Sequence, residues 1–191
     1  MSEIIIMPKR DNTTYDELFN IINSAHAQNR EKNIVVNPDM TDAEKLKDSV
    51  SKDDTVFVAY DGERAVGTAT AGFVTGTRRF VKGKKLVSLT HLAVLPEYGG
   101  KGIGKMLCNA VEDYARENNI DTVELYVREN NDAIKLYKRC GYVGAAYFPR
   151  KSIRQYAIYM LKKTDGTKLS PSVTVFYNIQ RAVNKIRYKY H

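Results

Sequence analysis

Apolar residues recur along this chain with two periods. Ile4 to Met7 is a short uninterrupted run of strand type, and Leu18, Ile21, Ile22 and Ala25 then follow at helical spacing. Thr14-Tyr15-Asp16-Glu17 opens that helix as a capping box, in which each end's side chain receives a backbone N–H from the other. Thr41-Asp42-Ala43-Glu44 repeats the pattern and predicts a short second helix through Val50, after a polar, irregular connection over residues 26–40. Thr55–Tyr60 and Ala65–Val74 flank Asp61-Gly62 and predict a hairpin. Leu86–Leu95 is mostly apolar throughout, as a strand covered on both faces should be.

Past a glycine-rich stretch, Ile103, Leu107, Val111, Tyr114 and Ala115 mark an amphipathic helix that ends near Asn118-Asn119. Thr122–Val127 reads as a strand and Asp132–Cys140 as a helix stopped by Gly141. Tyr142–Tyr147 and Ile153–Leu161 read as two final strands. The predicted order is β-α-α-β-β-β-α-β-α-β-β, which is a mixed α/β sheet and not a doubly wound one.

Composition changes little until charge is located. The 191 residues are 43% hydrophobic and 27% charged, as in an ordinary soluble globular protein, and no apolar run is long enough to cross a bilayer. Two cysteines, Cys108 and Cys140, and three histidines are too few and too scattered for a disulfide framework or a zinc set. Reduced core thiols, a cytoplasmic protein and no metal are the expectation. The net charge of +8 suggests a nucleic-acid footprint, but seven basic residues against one acid from Lys162 onward account for +6 of it. The remaining residues carry only +2.

The stretch Gly99-Gly100-Lys101-Gly102-Ile103-Gly104-Lys105 lies between a strand and a helix, where backbone N–H groups converge on anions. A nucleotide P-loop would need Ser or Thr after the lysine to hold Mg²⁺, and Met106 stands there. A dinucleotide turn would need Gly-x-Gly-x-x-Gly beside the first strand, and neither register of these glycines supplies it. Some other phosphate is implied.

Leu92-Ala93-Val94-Leu95-Pro96-Glu97-Tyr98 followed by Gly-Gly-Lys-Gly-Ile-Gly resembles the pyrophosphate loop of the GNAT N-acetyltransferases. That loop reads Gln/Arg-x-x-Gly-x-Gly/Ala after a Leu-x-Val-x-Pro strand. Gly99 stands where Gln or Arg is usual, a departure at a position that works mostly through its backbone. A second block, Asn130-Asn131-Asp132-Ala133 through Leu136-Tyr137 to Gly141-Tyr142, is similar to the family's Asn-x-x-Ala-x-x-Leu-Tyr-x-x-x-Gly-Phe/Tyr signature. The resemblance covers about residues 3–163 and implies a central mixed sheet of six to seven strands flanked by helices. It makes residues 1–163 an acetyl-CoA-dependent N-acetyltransferase domain and leaves 164–191 as a basic extension.

The resemblance also implies roles. Backbone atoms of Leu92, Ala93 and Val94 would receive the pantetheine arm of acetyl-CoA, and Gly99, Gly100, Lys101, Gly102, Ile103, Gly104 and Lys105 its pyrophosphate. Asn130 would touch the arm from the other side. Tyr137 would protonate the leaving thiolate, the alternative being a tyrosine packed in the core. No general base is assigned: Ser88 and Thr90 stand where a Glu is common in the family. By alternation His91 should face away from Ser88, Thr90 and Leu92, Glu124 is no better placed, and a water relay is the default.

The acceptor is expected to be a small-molecule amine, with a protein acceptor or an inactive acyl-CoA-binding module as alternatives. It would meet residues 26–40, Tyr147, Phe148, Arg150 and Lys151, with Arg30, Arg150 and Lys151 able to hold an anionic group or simply solvated. In the tail, Ser170-Pro171 starts a helix on which Phe176, Ile179, Val183, Ile186 and Tyr190 form one stripe, opposite Arg181, Lys185 and Lys189. The stripe is expected to pack on the domain or on a second subunit, while its basicity leaves a membrane or nucleic acid open.

Overall fold

The computed structural model describes residues 3–34, 40–150 and 155–187. A seven-stranded sheet runs in the order β1-β2-β3-β4-β5-β7-β6, built from β1 (Ile4–Pro8), β2 (Thr55–Asp61), β3 (Arg64–Thr75), β4 (Lys85–Val94), β5 (Thr122–Arg128), β6 (Val143–Arg150) and β7 (Gln155–Lys163). Every pairing is antiparallel except β4 with β5, which are joined through the helix α4 (Ile103–Glu117). Mixed pairing of this kind is what the predicted element order requires.

Strand alternation divides the core between two helical layers. Along β2, Val56, Val58 and Tyr60 face α1 (Tyr15–Ala25) and α3 (Ala43–Ser49), whereas Phe57 and Ala59 join the cluster around α4. The amphipathic α4 places Ile103, Leu107, Val111 and Ala115 in that second cluster, each 1% exposed or less. Such side chains stabilise the fold by roughly 1.5–3 kcal/mol each before ordering entropy is counted. The short α5 (Ala133–Arg139) lies on the same layer.

Four local readings change. The capping box at Thr14 forms as predicted, but the cap of α3 is Asp42, whose carboxylate accepts from Lys45 N at 2.9 Å, not Thr41. Asp42 wins because its carboxylate meets the partial positive end of the helix. Residues 26–40 include a short helix, α2 (Ala27–Glu31), while residues 35–39 and 151–154 lie outside the described residues.

The third change is in β4, where the pairing with β3 skips from Thr70↔Thr90 to Thr68↔Ala93. His91 and Leu92 thus stand opposite the single residue Ala69, and His91 has φ +52°. This bulge breaks the alternation on which the facing of His91 was predicted.

The fourth concerns the last helix, α6 (Pro171–Arg187). Of the predicted stripe, Phe176 packs edge-on against Phe80 at 5.4 Å between centroids, whereas Ile179, Val183 and Ile186 are 57%, 42% and 61% exposed and do not pack on the domain. The docked face carries buried Val173, half-buried Tyr177, Gln180 and Asn184. Gln180 Oε1 accepts from Tyr147 N at 3.0 Å, and Asn184 Nδ2 donates to Tyr147 O at 3.1 Å. Two amide side chains thereby satisfy Tyr147 on the outer edge of β6, the last strand of the sheet, in place of another strand. Arg181 and Lys185, predicted to point away, lie 3.7 and 3.6 Å from the Glu129 carboxylate. Tyr190 and Lys189 lie outside the described residues.

Candidate functional site

β4 and β5 pair only at Val87↔Val123 and Ser88↔Glu124 and then part. On its other edge β4 stays paired with β3 as far as Gly67↔Val94. The β5-side edge of Leu89–Val94 is therefore left without a strand partner among the described residues, and an extended ligand bearing amides fits that need. The opening widens into a cleft of about 590 Å³ lined by Thr90, His91 and Leu92 of β4, Tyr126, Val127 and Arg128 of β5, and Tyr137 of α5. Thr90, His91 and Leu92 line it together, which strict alternation forbids and the bulge allows. A second depression of about 630 Å³, between Phe73, Lys85 and Asn118, carries none of the motif residues.

The glycine loop follows the end of β4 and leads into α4. Pro96–Tyr98 form a single 3₁₀ turn, closed by Gly99 N donating to Pro96 O at 2.9 Å. Gly102 has φ +83° and caps α4, its carbonyl accepting from Lys105 N and Met106 N at 2.9 and 3.1 Å. A β-carbon on Gly102 would meet nothing within 4 Å, so it is the left-handed backbone, and not crowding, that selects glycine.

The amides that open α4 precede the first helical hydrogen bond and have no partner within the helix. Ile103 is 1% exposed and offers only its backbone, while Lys101 and Lys105 are exposed. Free amides, the positive end of a 15-residue helix and two flanking lysines fit a pyrophosphate. The coenzyme A that the resemblance implies matches this donor set and the unpaired edge of β4. Leu92 lines the cleft, Val94 is half-buried, and Ala93 is buried against α1 and contributes its backbone alone.

Tyr137 is 8% exposed, on the cleft wall, with its ring edge-on to Tyr142 at 5.9 Å between centroids. Burial pushes its phenol well above the usual range, with further contributions from Cys108 and Cys140. It stays protonated at any working pH. Asn130, the residue expected to touch the arm, is exposed in a left-handed turn (φ +70°), whereas its neighbour Asn131, for which no role was expected, is buried, lines the cleft and accepts from Ala133 N at 2.9 Å.

His91 is held by Thr70 Oγ1 3.1 Å from Nδ1 and by Ser49 Oγ 3.4 Å from Nε2. Burial lowers it to about 4, so the ring is neutral at pH 7 and a poor proton acceptor for an alkylammonium. Glu124 is 7% exposed, raised by burial against the opposing effect of Tyr159, whose hydroxyl donates to Oε2 at 2.5 Å. Neither residue is free to serve as base.

Several acceptor expectations also move. Tyr147 is fully buried and donates its hydroxyl to Glu129. Arg30 folds back on Asn23, donating to its side chain at 2.8 Å and its carbonyl at 3.0 Å. Phe148 does line the cleft, as do His26 and Met40 from the 26–40 connection; Lys151 lies outside the described residues. The sequence reading missed Lys45, Arg78 and Tyr126, which line the same cleft. Arg78 lies in the connector between β3 and β4, which also carries Arg79, Lys82 and Lys84, and only its place in the tertiary structure separates it from these neighbours.

The profile of the Acetyltransferase (GNAT) family matches residues 16–142. The chain is 30% identical over 128 residues to a streptothricin acetyltransferase of Streptomyces lavendulae, covering 63% of this chain and 64% of that one. It is 35% identical over 69 residues to a ribosomal protein bS18-alanine N-acetyltransferase of Haemophilus influenzae, covering 34% of this chain and 47% of that one. The chain thus spans less than two thirds of the length of these relatives. Among solved structures, an aminoglycoside 6'-N-acetyltransferase complexed with coenzyme A superposes with a TM-score of 0.64 at 15% identity, over 86% of this chain and 99% of that one.

Proposed function

The chain belongs to the acetyltransferase (GNAT) family, and from that premise we propose that it transfers an acetyl group from acetyl-CoA to the amine of a small molecule. The observation that carries this reading is the parting of β4 from β5 beside a glycine-capped helix N-terminus, with Tyr137 in the same cleft. When bound, acetyl-CoA supplies an acyl thioester: an electrophilic carbonyl carbon and a thiolate leaving group.

The chain's own residues position and stabilise. Amides around Gly102 and Gly104 hold the pyrophosphate, and the free edge of β4 at Leu92–Val94 holds the arm by strand-like pairing. Tyr137 donates a hydrogen bond to the sulfur as negative charge develops there. A thiolate, with a conjugate acid near 8.5, is too weak a base to strip a phenol raised above 10, so the donor stabilises charge more than it surrenders its proton. The attacking amine loses its proton to solvent, since His91 is nearly non-basic and Glu124 is tied to Tyr159. Residues 1–163 form the acetyltransferase unit and 164–191 an extension that docks on it through α6.

A panel of small amines, aminoglycosides and peptides with acetyl-CoA, followed by free-thiol release, tests the reading. Turnover with at least one small amine is the expected outcome. Coenzyme A binding without turnover of any amine or peptide makes the protein an acyl-CoA-binding module, and absence of coenzyme A binding removes the reading altogether.

A further inference from the structure

The cleft has two faces, and they differ in charge. Val123, Leu125 and Val127 of β5 belong to the core cluster on the α4 face, so Tyr126 and its alternates look to the opposite face. There the guanidinium of Arg78 lies over the Phe148 ring, 4.5 Å from its centroid, and 5.9 Å from the centroid of Tyr126. Its Nε stands 3.5 Å from the Tyr126 hydroxyl. Two aromatic faces and a hydroxyl thus fix the long side chain of Arg78 on the cleft wall.

Among the described residues Arg78 makes no ion pair. Glu124 lies beneath and feels its field, but the Glu124 carboxylate is taken by Tyr159. Lys45 and Arg128 line the same cleft, and no Asp or Glu side chain does so among the described residues. A half-buried, stacked guanidinium on the wall of a cleft whose described charged side chains are all basic is a preformed seat for a carboxylate.

Resting on the acetyltransferase reading, we propose that the acceptor is an amine that also carries an anionic group, a carboxylate in the first instance, which Arg78 binds on the cleft face opposite α4. The one-signed wall has a second consequence. It repels polycationic amines, so an aminoglycoside is a poor acceptor here whatever the fold shares with enzymes named for that substrate.

The experiment compares matched acceptors: a series of free amino acids, the same compounds as carboxamides, and an aminoglycoside, with acetyl-CoA and free-thiol release as the readout. Free acids are expected to exceed their amides in kcat/KM by about 10²-fold, with most of the difference in KM. In Arg78→Ala and Arg78→Gln that acid-to-amide ratio should collapse toward one, and Arg78→Lys should recover only part of it. Amides or the aminoglycoside preferred over acids, or a ratio indifferent to Arg78, overturns the proposal.

If no amine is turned over, calorimetry of the CoA-loaded protein with N-acetylated amino acids and their amides decides instead. Binding of the acids that is lost in Arg78→Gln upholds the anion seat, and absence of binding, or binding unaffected by Arg78, overturns it. Titration of coenzyme A itself reports separately on the acetyltransferase reading, because its donors lie on the glycine loop and β4.

Discussion

Gly104 in the first turn of α4 faces Leu136 of α5 with room for no more than a hydrogen: a β-carbon there would stand 2.9 Å from Leu136 Cδ2. The contact joins the two motifs that the sequence presents separately. Through it the helix that offers amides to a pyrophosphate is packed against the helix that carries Tyr137.

Gly104→Val is therefore expected to act on both functions at once. The far end of the Leu136 side chain must yield, which disturbs the packing next to Tyr137, and overpacking of this kind costs about 1–3 kcal/mol, at the low end where Leu136 finds another rotamer. Calorimetry with coenzyme A and thermal melts should both register it. In the double variant Gly104→Ala, Leu136→Ala the Gly104 penalty should shrink, and strict additivity of the two single changes would show that the contact is unimportant. Gly102→Ala should behave differently. Its side chain meets open space but its φ of +83° strains any L-residue, so stability falls by roughly 1–2 kcal/mol with α5 undisturbed.

Tyr137→Phe keeps the ring edge-on to Tyr142 and removes only the hydroxyl. The expected result is a loss of about 10²-fold in kcat with affinity for acetyl-CoA nearly unchanged. Full turnover in this variant would return Tyr137 to a purely structural role.

His91 makes stability depend on pH. Its folded value of about 4 lies below the unfolded value near 6.5, so between those limits the unfolded chain binds the extra proton. Stability is thus complete above pH 6.5 and falls as pH drops toward 4, with a slope of up to about 1.4 kcal/mol per pH unit. His91→Asn tolerates the left-handed backbone and cannot titrate. Denaturant melts across pH 4–7 should show this slope in the wild type and a flatter line in the variant.

Removal of α6 after Ser170 should lower the melting temperature and raise the mass in sedimentation. The variant loses the burial of Val173 and frees Tyr147 N and O on the outer edge of β6, a template for pairing with another chain. An unchanged melt and an unchanged mass would mean that α6 rests on the domain without stabilising it.

Much of this protein is written locally. The capping box of α1, the hairpin at Gly62, the amphipathic face of α4 and the two motifs are short-range patterns. Each is dictated by hydrogen bonding or periodicity within a few residues, and each appears in the structure. The site's backbone half could be read for the same reason, since a glycine-capped helix after a strand is itself a local pattern.

What the sequence could not decide depends on partners far along the chain. The bulge at His91 arises from pairing with β3, so the facing of β4 residues reverses where alternation alone says it should not. The docked face of α6 is chosen by the polar edge of β6 and by Glu129, which reward Gln180, Asn184 and Arg181 and leave Ile179 and Ile186 in solvent. Arg78 is one of several basic residues in a connector until Phe148 and Tyr126, from two other strands, close around it. Propensity and spacing are properties of a segment; burial, edge pairing and the charge of a cleft exist only once distant segments meet.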